Sequence, residues 1–314
     1  MDEKNMTRIT TIHLLGFQMP QRIKYWIFII FLLIYCVSVC GNLLIILLVS
    51  YSKTLHSPMY FFLSQLSASD LLLITDILPN MLHDILMKKA RISFSDCFSQ
   101  LYFFAVASTL ECLLLTVMSY DRYLAICKPL RYTLIMNHKC CWVTVITCWI
   151  LSISIIFINV LTVSQLQFCG PNMIDNFFCD LDPLLKLSCS KTSILQIAFT
   201  FIIAVVVVIP FCIVIVSYIY ILVTIFEIPS INGRKRTFST CSSHLTVVSI
   251  YYGTLFGVYI VPNRGQSWNM AKFMALLYTI VTPLMNPIIY SLRNKDFKQA
   301  LGKLISFSSS LAQQ

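Results

Sequence analysis

Seven stretches of the chain are each long and apolar enough to cross the hydrocarbon layer of a membrane. A crossing helix needs ~20 mainly apolar residues, because only hydrogen bonds made within the segment can satisfy its backbone in lipid. Residues 197–220 are almost unbroken isoleucine, valine and phenylalanine, without the alternation of a lipid-facing strand. We therefore predict an all-α membrane protein, a bundle of seven helices near residues 25–50, 57–82, 98–122, 142–164, 194–226, 238–262 and 271–292.

The composition agrees with a bilayer as solvent and excludes several classes of protein. Of the 314 residues 58% are hydrophobic and only 11% charged, whereas about a quarter of a soluble chain is charged. The sequence lacks H-E-x-x-H, G-x-S-x-G and phosphate-loop motifs, and its five histidines are scattered, so neither an enzyme nor a metal site is predicted. The net charge of +10 lies mostly between the apolar runs, where it suits lipid headgroups and not nucleic acid.

The orientation of the chain is predicted from features on the side of its N-terminus. Lysine and arginine divide almost evenly between the two sides and decide nothing. Asn5 begins an Asn-x-Thr glycosylation acceptor, which is usable only on the lumenal side. Cys97, Cys169, Cys179 and Cys189 lie on that same side, where thiols oxidise. We expect an extracellular N-terminus (1–24), a membrane domain (25–292) and a cytoplasmic tail (293–314).

Two acidic residues are expected at similar depth inside the bundle. Glu111 shares one stripe of the third helix with Arg122 and lies ~16 Å above it, while Asp70 lies ~20 Å above the start of the second helix. Paired acids in a low dielectric share a proton or hold a cation, which indicates a sodium or proton site linked to a conformational change. The alternative is that each acid is protonated and bonds a polar neighbour: Asn42, Ser67 or Asn286.

The outer halves of the third, fifth, sixth and seventh helices contain no acid, and their only base is Lys272 at the outer opening. Aliphatic and aromatic side chains with a few hydroxyls predominate there, a lining that suits a small neutral molecule. Any single residue could instead be core packing, so the hypothesis depends on the set. The predicted ligand-binding residues are Phe104, Ser108, Thr109, Ile202, Ile203, Val206, Leu255, Phe256, Tyr259 and Thr279.

Motifs along the chain resemble those of a known receptor family. Asp-Arg-Tyr at 121–123 and Asn-Pro-Ile-Ile-Tyr at 286–290 end the third and seventh helices, as in rhodopsin-like G-protein-coupled receptors. Longer strings are similar to the hallmark sequences of vertebrate olfactory receptors, and the long second outer loop resembles that of the tetrapod-type class. These strings are PMYFFL at 58–63, MSYDRYLAIC at 118–127, FSTCSSH at 238–244 and PIIYSLRN at 287–294.

The resemblance implies several features of the outer half. It pairs Cys97 with Cys179 and Cys169 with Cys189 as disulfides, although four cysteines alone allow three pairings. Phe104 stands where amine receptors carry an aspartate, which favours a neutral odorant.

The resemblance also implies a switch near the inner side. In the resting state Arg122 pairs with Asp121. In the active state Tyr218 and Tyr290 approach Arg122 and open a cleft for a heterotrimeric G protein of the stimulatory olfactory type, which raises cyclic AMP. The predicted switch residues are Asp121, Arg122, Tyr123, Tyr218, Tyr252, Asn286, Pro287 and Tyr290.

Further expectations follow from the same family. Asp70 and Glu111 match its cation site, so a sodium ion is the one cofactor considered. Tyr251 replaces the phenylalanine of a Phe-Tyr-Gly motif. Residues 298–305 look amphipathic and predict a short eighth helix along the membrane surface. The expected location is the plasma membrane of olfactory neuron cilia.

Two other functions stay open at this stage. A rhodopsin-like chemosensory receptor used outside the nose would have the same pocket. A transporter or ion pathway would use Asp70 and Glu111 as a relay, although the sequence shows no internal repeat of the kind transporters carry.

Overall fold

Helices make up most of the computed structural model. It describes residues 10–16, 20–87, 90–169, 171–259, 272–273, 275–293 and 295–311. In chain order the helices are α1 (Gln21–Tyr51), α2 (Pro58–Leu86), α3 (Phe94–Cys127), α4 (Pro129–Ile135), α5 (His138–Ser164), α6 (Leu181–Lys186), α7 (Ser193–Ile203), α8 (Ile209–Glu227), α9 (Ile231–Tyr259), α10 (Thr282–Arg293) and α11 (Lys295–Leu311). We call the side that carries the N-terminus the outer side and the opposite side the inner side.

The long helices follow the predicted spans and mostly extend beyond them. Among the described residues, α1, α2, α3, α5 and the continuous segment Ser193–Glu227 have the length and hydropathy of a membrane crossing. α9 contains the sixth predicted span up to Tyr259, and α10 is the inner part of the seventh. α11 includes the predicted eighth helix at 298–305.

Local sequence explains where three of these helices begin. The Ser93 hydroxyl accepts a hydrogen bond from the Asp96 amide at 3.0 Å and caps α3. The Asn137 side chain accepts one from the Cys140 amide at 2.9 Å and caps α5. Pro58 occupies the first turn of α2, where backbone amides have no acceptor within the helix, so the missing amide hydrogen of proline costs no hydrogen bond. The starts of α2, α3 and α5 are therefore encoded next to the helices themselves.

The fifth and seventh crossings each contain one π-helical turn. Ala204–Val208 joins α7 to α8 just before Pro210, and Leu277–Val281 lies just before Pro283. Proline has no amide hydrogen to donate, and a wider turn accommodates the missing bond. Each π turn also changes which side chains face the interior, since it adds a residue to the turn.

The interior of the bundle is organised around α3, which contacts α2, α5, α8 and α9. Most of the buried apolar side chains of α3 belong to one long cluster that runs through the bundle, and Cys97 and Phe98 at its outer end belong to a second cluster. Large apolar side chains also cover the outside, where Trp26 is 69% and Phe226 is 71% exposed. Such a surface is stable against lipid and would aggregate in water.

A small sheet covers the outer end, and the sequence analysis did not anticipate it. β1 (Thr11–Leu14) pairs antiparallel with β2 (Ala90–Ser93) and in parallel with β3 (Met173–Ile174). A second apolar cluster, which includes the fully buried Ile12, packs beneath the sheet. We call the sheet together with the loop of residues 165–192 the outer cap.

Two disulfides tie the outer cap together. Cys97–Cys179 joins α3 to the loop across 82 residues of sequence, and Cys169–Cys189 closes 20 residues within the loop. This is the pairing that the family resemblance implies. The cap is thus a covalently closed unit with its own apolar core.

Candidate functional site

The outer cap reaches down onto Phe104 of α3. The ring of Phe178 lies 4.9 Å from that of Phe104, centroid to centroid, and Tyr278 packs edge-on against Phe104 at 6.1 Å. Gln100 holds the loop in place, because its side-chain oxygen accepts a hydrogen bond from the Cys179 amide at 2.9 Å. Phe104 is only 4% exposed, so the predicted ligand site is covered on its outer side.

Most of the predicted lining residues lie inside the bundle. Those that are buried or half-buried are Phe104, Ser108, Thr109, Ile202, Val206, Leu255, Phe256 and Thr279. Ile203 is a correction, since it is 42% exposed on the outside of α7. Consecutive helical side chains point about 100° apart, and here Ile202 is half-buried while Ile203 is turned outward. The side chain of Tyr259 lies outside the described residues.

Two tyrosine hydroxyls and one thiol form the floor of this region. The Tyr251 hydroxyl of α9 donates to the Ser108 carbonyl of α3 at 2.8 Å. The Tyr252 hydroxyl lies 3.2 Å from the Cys112 sulfur, which also lies 3.2 Å from the Val206 carbonyl in the π turn. The hydroxyl that distinguishes Tyr251 from phenylalanine therefore has a partner on α3. The floor joins three crossings of the bundle through polar contacts.

The two predicted acids lie together in the interior. Asp70 is 0% and Glu111 1% exposed, and the Asn286 amide donates to one oxygen of Asp70 at 2.8 Å. Asn42 instead donates to two backbone carbonyls, each at 3.0 Å. Asp70 Oδ1 and Glu111 Oε1 are buried without a hydrogen-bond partner in the described part of the chain. Carboxylate oxygens that lack a hydrogen-bond partner can take up a proton or bind a small hard cation.

At the inner end, a buried ion pair closes the base of α3. Arg122 donates to Asp121 Oδ2 from Nε at 3.0 Å and from Nη2 at 2.5 Å. The hydroxyl of Tyr132, on α4, donates to Asp121 Oδ1 at 2.9 Å. Burial and the charge of Asp121 raise the pKa of the Tyr132 phenol, so it stays a donor. Sequence reasoning selected Arg122 and Asp121 but missed Tyr132, whose helix lies in an inner loop.

The other switch residues occupy separate positions. The Tyr218 hydroxyl lies 2.6 Å from His244 Nδ1 on α9, and the two rings stack at 5.9 Å. Tyr290 is buried, and its hydroxyl has no partner among the described residues. Tyr123 packs against Tyr220 at the edge of the bundle. The sequence assigned no role to His244, which is fully buried in the structure.

Gly41 of α1 allows a close approach to the seventh crossing. A side-chain carbon at Gly41 would stand 2.9 Å from Pro287 Cβ, which is too close for two carbon atoms. Position 41 therefore has to be glycine as long as Pro287 of α10 packs against it.

Charged groups at the outer opening are engaged within the cap. Lys272 forms an ion pair with Asp175 and donates to the Gly16 carbonyl at 3.1 Å. Asp180 caps α6 by accepting a hydrogen bond from the Leu181 amide at 2.7 Å. Burial raises the pKa of Asp180 to about 6. The base predicted at the opening is thus neutralised by the loop.

A lateral groove of about 640 Å³ lies between α1, α2, α3 and α5. Its walls are apolar and include Val39, Leu71, Phe103 and Trp149. None of the predicted ligand-binding residues whose side chains are described lines it, so it is separate from the site beneath the cap. Its apolar walls suit the hydrocarbon of the surrounding lipid.

Comparisons with known proteins agree with this architecture. The profile of the olfactory receptor family matches residues 31–307. The chain is 45% identical over 305 residues to Olfactory receptor 11L1 of Homo sapiens, covering 97% of this chain and 95% of that protein. It is 43% identical over 305 residues to Olfactory receptor 1468 of Rattus norvegicus, covering 97% of each.

The fold is shared with a distant solved structure. The crystal structure of squid rhodopsin superimposes with a TM-score of 0.74 at 17% identity, covering 93% of this chain and 88% of that one. At that identity the similarity establishes the fold and not the ligand. The chain therefore belongs to the olfactory receptor family, a family of receptors and not enzymes, and is a multi-pass membrane protein with a rhodopsin-like bundle of seven helices.

Proposed function

We propose that this receptor binds small, mostly neutral volatile molecules beneath the outer cap and activates a stimulatory, olfactory-type heterotrimeric G protein, which raises cyclic AMP. The observation that carries the proposal is that one helix, α3, contributes both to the predicted ligand site and to the ion pair at the inner end. Phe104 lies under the cap at its outer end, and the Arg122–Asp121 pair closes its inner end.

The chemistry of the site supports a neutral ligand. Lys272 and Asp175, at the opening, neutralise each other. Phe104, Leu255 and Phe256 supply apolar and aromatic surface, and the floor supplies hydroxyls. Each buried Å² of apolar ligand surface contributes about 25 cal/mol, and one or two hydrogen bonds add direction and specificity.

The coupling follows from differential affinity for two arrangements of α9. A ligand that contacts Phe256 draws the outer part of α9 inward, and the inner end then moves away from α3. That motion separates His244 from Tyr218. The Tyr218 hydroxyl, released from His244, then moves toward Arg122. Arg122 exchanges Asp121 for Tyr218 and Tyr290, and the opened cleft receives the G protein.

We further propose that Asp70 and Glu111 hold a sodium ion or share a proton in the resting state. Asp70 Oδ1 and Glu111 Oε1 are the orphaned oxygens that support this. A bound cation would neutralise the two buried carboxylates, and Asn286 connects them to the seventh crossing. The same acids keep an ion pathway as a second candidate function.

The proposed location is the plasma membrane of olfactory neuron cilia, with the N-terminus extracellular and the C-terminus cytoplasmic. The oxidised cysteines of the outer cap support this orientation. Asn5, the expected glycosylation site, lies outside the described residues. Removal of Asn-linked sugars from the intact protein should increase its gel mobility.

The test is a panel of neutral and charged volatiles applied to cells that carry the receptor and a cyclic AMP reporter. We expect responses to neutral members, and Phe104→Asp should weaken them while surface density is unchanged. Ligand-independent ion current in a reconstituted membrane, without nucleotide exchange on the G protein, would contradict the receptor function and favour the ion pathway.

A further inference from the structure

Two adjacent tyrosines tie α9 to one face of α3. Tyr251 donates to the Ser108 carbonyl at 2.8 Å, and the Tyr252 hydroxyl lies 3.2 Å from the Cys112 sulfur. Ser108 and Cys112 are four residues apart, so they lie one above the other on the same face of α3. The two contacts form an interhelical clamp at the floor of the ligand site, and we call it the tyrosine clamp.

The Tyr251 bond fixes its side chain in one position. Tyr251 is 1% exposed, and its ring packs against Tyr252 at 5.2 Å and Tyr278 at 5.9 Å. A helical carbonyl already accepts one backbone amide, and the phenol of Tyr251 uses the second lone pair of Ser108. A buried hydroxyl without a partner is costly, so the bond is kept as long as the two helices stay in register.

The clamp lies directly beside a weak point of α9. Gly253 follows Tyr252, and glycine disfavours the interior of a helix. The Thr254 hydroxyl bonds back to the carbonyls of Ile250 at 2.8 Å and Tyr251 at 3.0 Å, a pattern that bends helices. Apart from its chain neighbours and the backbone of its own helix, no described atom stands within 4 Å of a side-chain carbon built at Gly253. α9 can therefore bend just after the clamp, which holds the segment on the inner side of the bend against α3.

We propose that the Tyr251 hydroxyl is a positioning group that holds α9 in its resting place and so sets how much ligand the receptor needs before it signals. The inference rests on the proposed function, because it adds a holding contact to the same switch. The Tyr251 bond occurs together with the Arg122–Asp121 and Tyr218–His244 contacts of the resting arrangement. A bond of this length is lost when one helix shifts by about 1 to 2 Å, so ligand-driven motion has to break it.

The signalling test is Tyr251→Phe, which removes the hydroxyl and keeps the ring. Loss of one hydrogen bond shifts a two-state equilibrium by roughly 2- to 10-fold. Ligand-free cyclic AMP should rise by that factor, and the half-maximal concentration of every agonist should fall by it, with the maximal response unchanged at matched surface density. The control is Tyr102→Phe on the outer part of α3. The Tyr102 ring packs on Phe103 and Phe157, and its hydroxyl makes no hydrogen bond to a described residue. That variant should match wild type.

A second measurement needs neither ligand nor G protein. Amide hydrogen exchange of residues 231–250 in the purified full-length protein, held in lipid nanodiscs, should be faster by the same roughly 2- to 10-fold in Tyr251→Phe. Unchanged exchange overturns the inference, even if wild type responds to ligands as proposed. A wild-type protein that answers no volatile overturns the proposed function instead, and the exchange result still decides the clamp.

Discussion

The two ends of the bundle are held together by different kinds of bond. The outer cap has two disulfides, a three-stranded sheet and its own apolar cluster. The inner end relies on side-chain pairs, Arg122 with Asp121 and Tyr218 with His244. A disulfide persists through any ligand cycle, whereas a hydrogen bond contributes only about 1 kcal/mol net and exchanges readily. One end is covalently closed, and in the proposed mechanism the other end changes partners.

The largest expected effect is at the inner end. Arg122→Ala should abolish ligand-stimulated cyclic AMP, because the proposed mechanism requires the Arg122 guanidinium to exchange Asp121 for Tyr218. The outer cap does not contact Arg122, so receptor density at the cell surface should stay near wild type by antibody labelling. Full signalling by this variant would mean that the inner pair is only structural.

The outer cap should fail in a different way, by losing stability. Cys97→Ser opens a loop of 82 residues and should lower the free energy of unfolding by about 4.5 kcal/mol. Cys169→Ser opens one of 20 residues and should cost about 3 kcal/mol. Thermal unfolding of the purified receptor measures both. A larger loss for Cys169→Ser would mean that loop entropy does not control the stability of the cap.

Between the two ends of the bundle, α1 and α10 pack too closely to admit an added side-chain carbon at Gly41. Gly41→Ala would place a carbon 2.9 Å from Pro287 Cβ and should lower the free energy of unfolding by about 1 to 3 kcal/mol. Gly302→Ala is the matched control, since among the described residues nothing outside the backbone of its own helix lies within 4 Å of the added carbon on the exposed side of α11. The control should be neutral or slightly stabilising in the same thermal assay, and equal losses would remove the steric explanation.

The smallest expected effect concerns the pH dependence of the outer cap. Burial raises the pKa of Asp180 from 3.8 to about 6, so the folded protein favours the protonated form. Its stabilising contribution is complete below about pH 4 and is lost as the pH rises through about 6. Asp180→Asn keeps an oxygen for the Leu181 amide and should remove this pH dependence of the unfolding free energy. The expected change across the titration is about 1 kcal/mol, because Asp180 is only half-buried and solvent weakens the effect.

The control for this titration lies on the same short helix. Asp182→Asn removes an exposed carboxylate that pairs with Lys186. It should change the slope much less than Asp180→Asn does, because burial, and not the charge of Asp182, is the largest cause of the raised pKa of Asp180. Unfolding temperatures between pH 4 and 7 compare the two variants. A slope that survives Asp180→Asn would assign the titration to another group.

Much of the fold was predictable from sequence because the bilayer imposes one strong requirement. Each crossing must satisfy its own backbone, so helices appear wherever apolar runs are long enough. The pairing of Arg122 with Asp121 was equally accessible, since neighbouring charges at a helix end are a local feature. The burial of Asp70 and Glu111 followed from helical periodicity.

What could not be predicted depends on contacts between distant residues. The partners of Asp121 and Tyr218 come from α4 and α9, and no local pattern indicates that Tyr132 and His244 reach them. The outward direction of Ile203 depends on the rotation of α7, which an apolar run on all sides does not reveal. The sheet was missed because β1 is only four residues long and gains its partners from far along the chain.

That distance has a consequence for how the protein is made. One edge of β1 is hydrogen-bonded beside residues 172–174, so this edge leaves the ribosome long before its partner exists. At about 5 to 20 residues per second, the wait is about 10 to 30 s. Until then β1 can pair only with β2 and its other edge stays open to chaperones, so the outer cap is complete only after β3 has been made.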